Sequence, residues 1–177
     1  MTCVCACGRT DILGNEDDMN SSQAPGEIRE DIFYSSDGRF TLEAEDGIWE
    51  VSELDGYTEL RMTENPSVAI TFSYLEGVPE EILDQFETEF ALSYAESLSE
   101  VYSGVVLEEF FQPDKTKAGF SLRLTEPGSG QAMYQLFYLA IEAEEGYMIT
   151  SILPEEEKDR LAAEVRETIE SFSFQKK

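Results

Sequence analysis

The sequence predicts an α+β domain built as a three-layer α/β/α sandwich, with a largely antiparallel sheet held between two helices. Three observations lead there. Short alternating strands open the domain, one later strand is apolar on both of its faces, and two segments with a helical apolar period are available to cover those faces.

The strands come first. "GRFTLEA" alternates Phe40 and Leu42 with polar neighbours. "IWEVSEL" and "YTELRMT" follow turn signals at Asp46-Gly47 and Asp55-Gly56, which predicts half-buried antiparallel strands joined by tight hairpins. "SVAITFSYL" then places Val68, Ile70, Phe72 and Tyr74 on one side, completing a β-meander.

After Gly77 the period changes. Pro79 suits a first helical position, and Glu80 and Glu81 complement the positive end of the helix dipole. Ile82, Leu83, Phe86, Phe90, Tyr94, Leu98 and Val101 recur at three- and four-residue steps, so one helix of about six turns is expected, ending near Ser103-Gly104. Its aromatic stripe is read as core.

Four more strands follow in "GVVLEEFFQ", "AGFSLRLTE", "QAMYQLFYLAIEAE" and "GYMITSILP". The third sets Met133, Phe137, Leu139 and Ile141 on one face, and Tyr134, Leu136, Tyr138 and Ala140 on the other, so both faces need a cover. Pro154 and Glu155 to Glu157 open the second helix, whose apolar stripe is Leu161, Val165, Ile169 and Phe172.

This order of elements, with "GRFTLEAEDGIWEV" near its start and "GYMITSILPEEEKDRLAAEVRETIESFSF" at its end, resembles the PsbP-like fold over residues 32 to 174. That superfamily takes in the extrinsic photosystem II subunit, the yeast Ran-binding import factor of the Mog type, and many bacterial lipoproteins. The resemblance implies a binding or assembly module. It transfers no catalytic motif and no residue set for Ran binding.

Charge narrows the classes further. Against 12 Lys and Arg stand 38 Asp and Glu, a net charge of −26 with a pI near 4.1. Such a surface repels phosphate backbones and anionic lipid, so nucleic acid is excluded as a partner and the membrane is reached only through an anchor. With no histidine in the chain, Ser-His-Asp and Cys-His sites cannot form. "GSGQAM" from Gly128 to Met133 leads into a strand and lacks the third glycine of a dinucleotide loop, so it reads as a hairpin. Carboxylate pairs leave room for a hydrolase acting on surface polymers. Glu108-Glu109, Glu144-Glu145 and Glu155 to Glu157 are nonetheless expected to face solvent, and no catalytic or metal-ligating residue is nominated. Weak calcium binding is the one cofactor that acidity admits, yet no D-x-[DN]-x-[DN]-G loop occurs, and the cluster from Asn15 to Asp18 lies outside the domain.

The cysteines stand apart from the domain. Cys3, Cys5 and Cys7 are the only ones present, which rules out a staple within the folded part, and C-x-C-x-C without histidine is a poor zinc set. Val4-Cys5-Ala6-Cys7 fits a bacterial lipobox, with Cys7 as the residue that takes the lipid. It lacks the basic and apolar regions of a signal peptide upstream, so residues 1–7 read as a signal remnant and lipobox. Residues 8–30, rich in Gly, Asp, Glu, Asn and Ser, read as a flexible acidic tether that spans about 25 Å as a random coil. Residues 31–177 form the globular domain.

The expectation is thus a monomeric, lipid-anchored extracytoplasmic module that holds a protein or small ligand at a sheet edge or beside a helix. Trp49, Tyr57, Tyr134 and Tyr138 are its candidate contacts, although core packing accounts for each of them equally well. A cytosolic adaptor with an incidental cysteine tail is the alternative to the anchored reading.

Overall fold

The computed structural model describes residues 26–54 and 56–175. The central layer is a seven-stranded, wholly antiparallel sheet. Its strands are β4 (Trp49–Leu54), β5 (Tyr57–Met62), β6 (Ala69–Glu76), β7 (Ser103–Asp114), β8 (Lys117–Thr125), β9 (Ala132–Glu142) and β10 (Glu145–Pro154), laid side by side in the order β4-β5-β6-β10-β9-β8-β7. β9 lies near the middle and is covered on both faces, as its pattern requires. Phe137, Leu139 and Ile141 enter one core, while Tyr134, Leu136, Tyr138 and Ala140 enter the other.

The first core is closed by the segment after β6. In place of one regular helix, a 3-10 turn at Glu80–Gln85 passes into a π-helical turn at Phe86–Phe90 and then into α1 (Ala91–Ser99). The spacing explains the change. Phe86, Phe90, Tyr94 and Leu98 repeat strictly every four residues, and a regular α-helix would rotate such a row by about 40° per step. One wide turn takes up part of that drift and keeps the row on the sheet. Phe86 and Phe90 stack at 5.3 Å, and Tyr94 packs 4.6 Å from Phe137. Val101, expected on this stripe, is 63% exposed.

The second core has a composite cover. Half is α2 (Lys158–Glu170), entered through a 3-10 turn at Glu155–Glu157, with Leu161, Val165 and Ile169 buried against the sheet. The other half is a small sheet in the order β1-β2-β3-β11, made of β1 (Glu27–Arg29), β2 (Ile32–Tyr34), β3 (Phe40–Glu43) and β11 (Ser173–Phe174). Phe40 of that sheet lies within 5.2 Å of Phe72, Tyr147 and Phe172, ring to ring. The closing "SFSF" therefore has two tasks: Phe172 fills the core, and Ser173–Phe174 pairs with Thr41 and Phe40.

Two expectations are corrected by this sheet. β3 does not hairpin into β4, because β2 and β11 occupy both of its edges. The Asp46-Gly47 turn instead hands the chain from the small sheet to the large one. Meanwhile β1 falls inside the segment read as tether, and its residues pair with β2, Glu27 opposite Tyr34. The β4–β5 hairpin does follow its signal, with Leu54 opposite Tyr57 and Gly56 at φ 92°. A second glycine is needed for space. A Cβ at Gly119 would stand 2.6 Å from the Tyr138 ring, which stacks on Phe111 across it.

A candidate acidic cleft beside α2

Where the small sheet meets α2, the two halves of the cover do not close completely. A cleft of about 510 Å³ remains. Its apolar base is formed by Ile32, Ala44, Ile48 and Trp49, and its rim by Glu30, Asp31, Glu43, Glu45, Glu164 and Glu167. No Lys or Arg lines it.

Each wall follows from local structure. Glu30 and Asp31 form the two-residue loop between β1 and β2, with Arg29 opposite Ile32 and both loop residues at positive φ, 51° and 61°. That geometry matches the twist of a two-stranded ribbon, but it favours Gly or Asn over these carboxylates. The loop is braced from outside. Asp31 C=O accepts the Ala44 N–H at 2.8 Å, and Asp31 Oδ1 accepts the Asp46 N–H at 2.9 Å. On the helix side, the Glu43 N–H donates to Ser171 Oγ at 2.8 Å, and that hydroxyl donates to the Thr168 carbonyl at 2.7 Å. These bonds hold β3 against the end of α2 and set the width of the cleft.

Two features mark the cleft chemically. All nine ion pairs of the described residues lie elsewhere, so none of the six rim carboxylates has a cation partner among them. Thr168, 8% exposed, also lines the cleft, so the helix-side wall carries a hydroxyl beside the carboxylates.

The residues singled out from sequence are scattered. Trp49 borders the cleft from β4 and is 5% exposed. Tyr57 sits at a separate hollow of about 270 Å³ with Arg39, Tyr74 and Tyr147. There Arg39 lies 4.0 Å over the Tyr74 ring, and burial, reinforced by the Asp37 carboxylate, pushes the Tyr147 phenol upward. Tyr134 and Tyr138 are core residues under α2. Lys158 Nζ stands 4.5 Å over the Tyr134 ring, and Tyr138 donates to Glu170 Oε1 at 2.9 Å. Burial and that neighbouring carboxylate hold the Tyr138 phenol in its protonated form. Cys7 lies outside the described residues.

Of the acidic residues expected to face solvent, Glu108, Glu109, Glu144 and Glu156 are exposed, while Glu145, Glu155 and Glu157 are half-buried. Glu108 and Glu109 also reach α2, where Glu108 meets Lys158 at 2.5 Å and Glu109 meets Arg166 at 3.8 Å. Glu157 pairs with Arg160 at 2.7 Å. Among the described residues no helix is long and apolar enough to cross a membrane, and no group of three or more carboxylates gathers closely enough to hold a metal.

No protein-family model matches the chain, and no curated protein matches it in sequence. Solved structures do match. The Ran-binding protein Mog1p of Saccharomyces cerevisiae aligns with a TM-score of 0.58 at 12% identity, over 83% of this chain and 96% of that one. Cyanobacterial PsbP (CyanoP) from Synechocystis aligns at 0.58 and 10%, over 90% of this chain and 98% of that one. A Bacteroides thetaiotaomicron protein aligns at 0.55 and 11%, over 85% of this chain and 50% of that one. The fold is the one that Mog1p and PsbP share. The three-layer sandwich read from the sequence thus has its counterpart among solved proteins, with the composite α2 and small-sheet cover as its detail in this chain.

Proposed function

We propose that this domain is a non-catalytic binding module, and that the cleft between the small sheet and α2 is where it holds its partner. One observation carries the reading: a concave site with an apolar base, whose rim carboxylates lack cation partners among the described residues. The fold shared with a protein named as Ran-binding supports a protein as the partner. The test is a photo-crosslinker, benzoylphenylalanine, placed at Ile48 in the native host, with Leu92, exposed on the opposite cover, as the control position. Capture at Ile48 and not at Leu92 supports the reading, and equal capture at both overturns it.

We further propose that the module is anchored extracytoplasmically through a lipid on Cys7. The four-residue lipobox and the polar run behind it support this reading. Mass spectrometry of the mature N-terminus, on protein drawn from membranes of the native host, decides it. A first residue of diacylglyceryl-modified Cys7 is expected. Free thiols at Cys3, Cys5 and Cys7 on soluble protein would remove the anchor and favour a cytosolic adaptor.

A further inference from the structure

Resting on the reading of the cleft as a binding site, we infer that its occupant is a short lysine- and arginine-bearing segment of a partner protein, recognised by its side chains. Three observations select this chemistry. First, the rim carries Glu30, Asp31, Glu43, Glu45, Glu164 and Glu167 with no lining cation, whereas Glu108, Glu109 and Glu170 on the other flank of α2 all meet Lys or Arg. An arriving cation gains attraction to several carboxylates at once and relieves their mutual repulsion. Second, the carboxylates are spread around the opening and do not converge on one point, since no group of three or more among the described residues could hold a metal. Distributed charge suits several cationic side chains better than one divalent ion. Third, the base is apolar. Ile32, Ala44, Ile48 and Trp49 offer a surface for the methylene stems of Lys and Arg, and Trp49 is the aromatic type most favourable to a cation.

The small sheet also decides how the segment is read. β2 and β3 have neighbours on both edges, in the order β1-β2-β3-β11, so neither of these strands is free for backbone pairing at the cleft. Recognition falls to side-chain charge and to the Thr168 hydroxyl, which accepts a bond from a guanidinium or ammonium or donates to a peptide carbonyl.

Trp49 is the sole tryptophan of the chain and lines the cleft, so its emission reports occupancy directly. The experiment titrates the full chain with a hexapeptide alternating lysine or arginine with leucine, with its glutamate counterpart, and with calcium chloride. A saturable change in emission is expected with the basic peptide alone, weakening as salt is added. The double variant Glu164→Gln/Glu167→Gln is expected to bind at least tenfold more weakly. The variant Glu87→Gln/Glu89→Gln, which removes the same charge from the opposite cover, should bind as the parent does. Thr168→Val should weaken binding a few-fold, with unchanged far-ultraviolet circular dichroism showing that α2 is intact. Equal weakening by both double variants would show diffuse attraction to an acidic surface and overturn the inference, as would a response to calcium in place of the peptide. If Ile48 captures a partner while the basic peptide leaves Trp49 unmoved, the partner chemistry falls and the binding-site reading stands. If neither responds, both fall.

Discussion

Along one flank of α2, Lys158 and Arg166 reach across to β7. Lys158 meets Glu108 and covers the Tyr134 ring, while Arg166 lies 3.9 Å over Phe111 and pairs with Glu170 at 2.7 Å. Along the other flank of the same helix, Glu164 and Glu167 face a cleft that no cation lines. The helix is one element with one amphipathic pattern, yet the first flank has its charges matched and its aromatic faces covered. The second keeps like charges together over an apolar base. Unpaired charge concentrated in a concavity weakens the fold slightly, and such local disagreement between stability and arrangement is where binding is to be sought. Each substitution below moves one flank and leaves the other alone.

The largest effect is expected where the matched flank ends. Lys117, 7% exposed, donates from Nζ to the carbonyls of Glu170 at 2.5 Å and Phe172 at 3.0 Å, and so caps the C-terminal end of α2. Lys117→Met strands both carbonyls in a buried site, and a loss of about 3 kcal/mol is expected in urea denaturation. The response of Trp49 to the basic peptide should persist under native conditions. If it vanished while the protein stayed folded, the independence of the two flanks would be broken.

Arg166→Gln comes next. It removes a partly covered cation from the Phe111 ring and from Glu170, and about 1 kcal/mol is expected on the same measurement. A smaller effect appears on acidification. Burial pushes the Asp114 carboxyl up, but hydrogen bonds from Thr116 and the Lys117 ammonium outweigh it and hold the group below its ordinary value of 3.8. A carboxyl depressed in the folded state contributes stability that is present above its unfolded value and lost as pH falls through the folded one. Urea midpoints should therefore drop less in Asp114→Asn than in the parent between about pH 5 and about pH 2.

The smallest change has the opposite sign. Glu164→Gln relieves the like charge of Glu167 one turn away, and a gain of about 0.3 kcal/mol is expected where Arg166→Gln produces a loss. Double-mutant analysis of Glu164→Gln with Arg166→Gln should be additive. Coupling between them would mean that the two flanks share a network that the contacts do not display.

Much of this fold was legible in residue order. The eight strands and two helical covers read from periodicity all occur, and β9 is buried on both faces because both its odd and even positions are apolar. Less legible were β1, β2 and β11. They are three residues or fewer, too short for a period, and the β1–β2 loop uses Glu30 and Asp31 where a turn signal would place Gly or Asn. The break in the first helix was readable in principle, since the four-residue spacing of Phe86, Phe90, Tyr94 and Leu98 does not fit a uniform α-helix. Of the four aromatic candidates, only Trp49 lies at the cleft. The rim residues carried no local signal beyond their charge, which among 38 acidic residues distinguishes nothing.

Alternation and helical period are properties of neighbours along the chain, so the sequence by itself determined which segments are strands, which faces are apolar, and that the sheet lies between two covers. It also determined the overall charge, which follows from composition alone. Where unmatched charge collects is a different matter. Glu43 and Ser171, bonded across the cleft, are 128 positions apart, and no local pattern links them. Only the tertiary structure decided that β3 leaves the meander for a second sheet and that this sheet shares its layer with α2. The gap between the two is walled by carboxylates because packing is satisfied by apolar shape, and the polar remainders of distant segments come to rest wherever that packing leaves them.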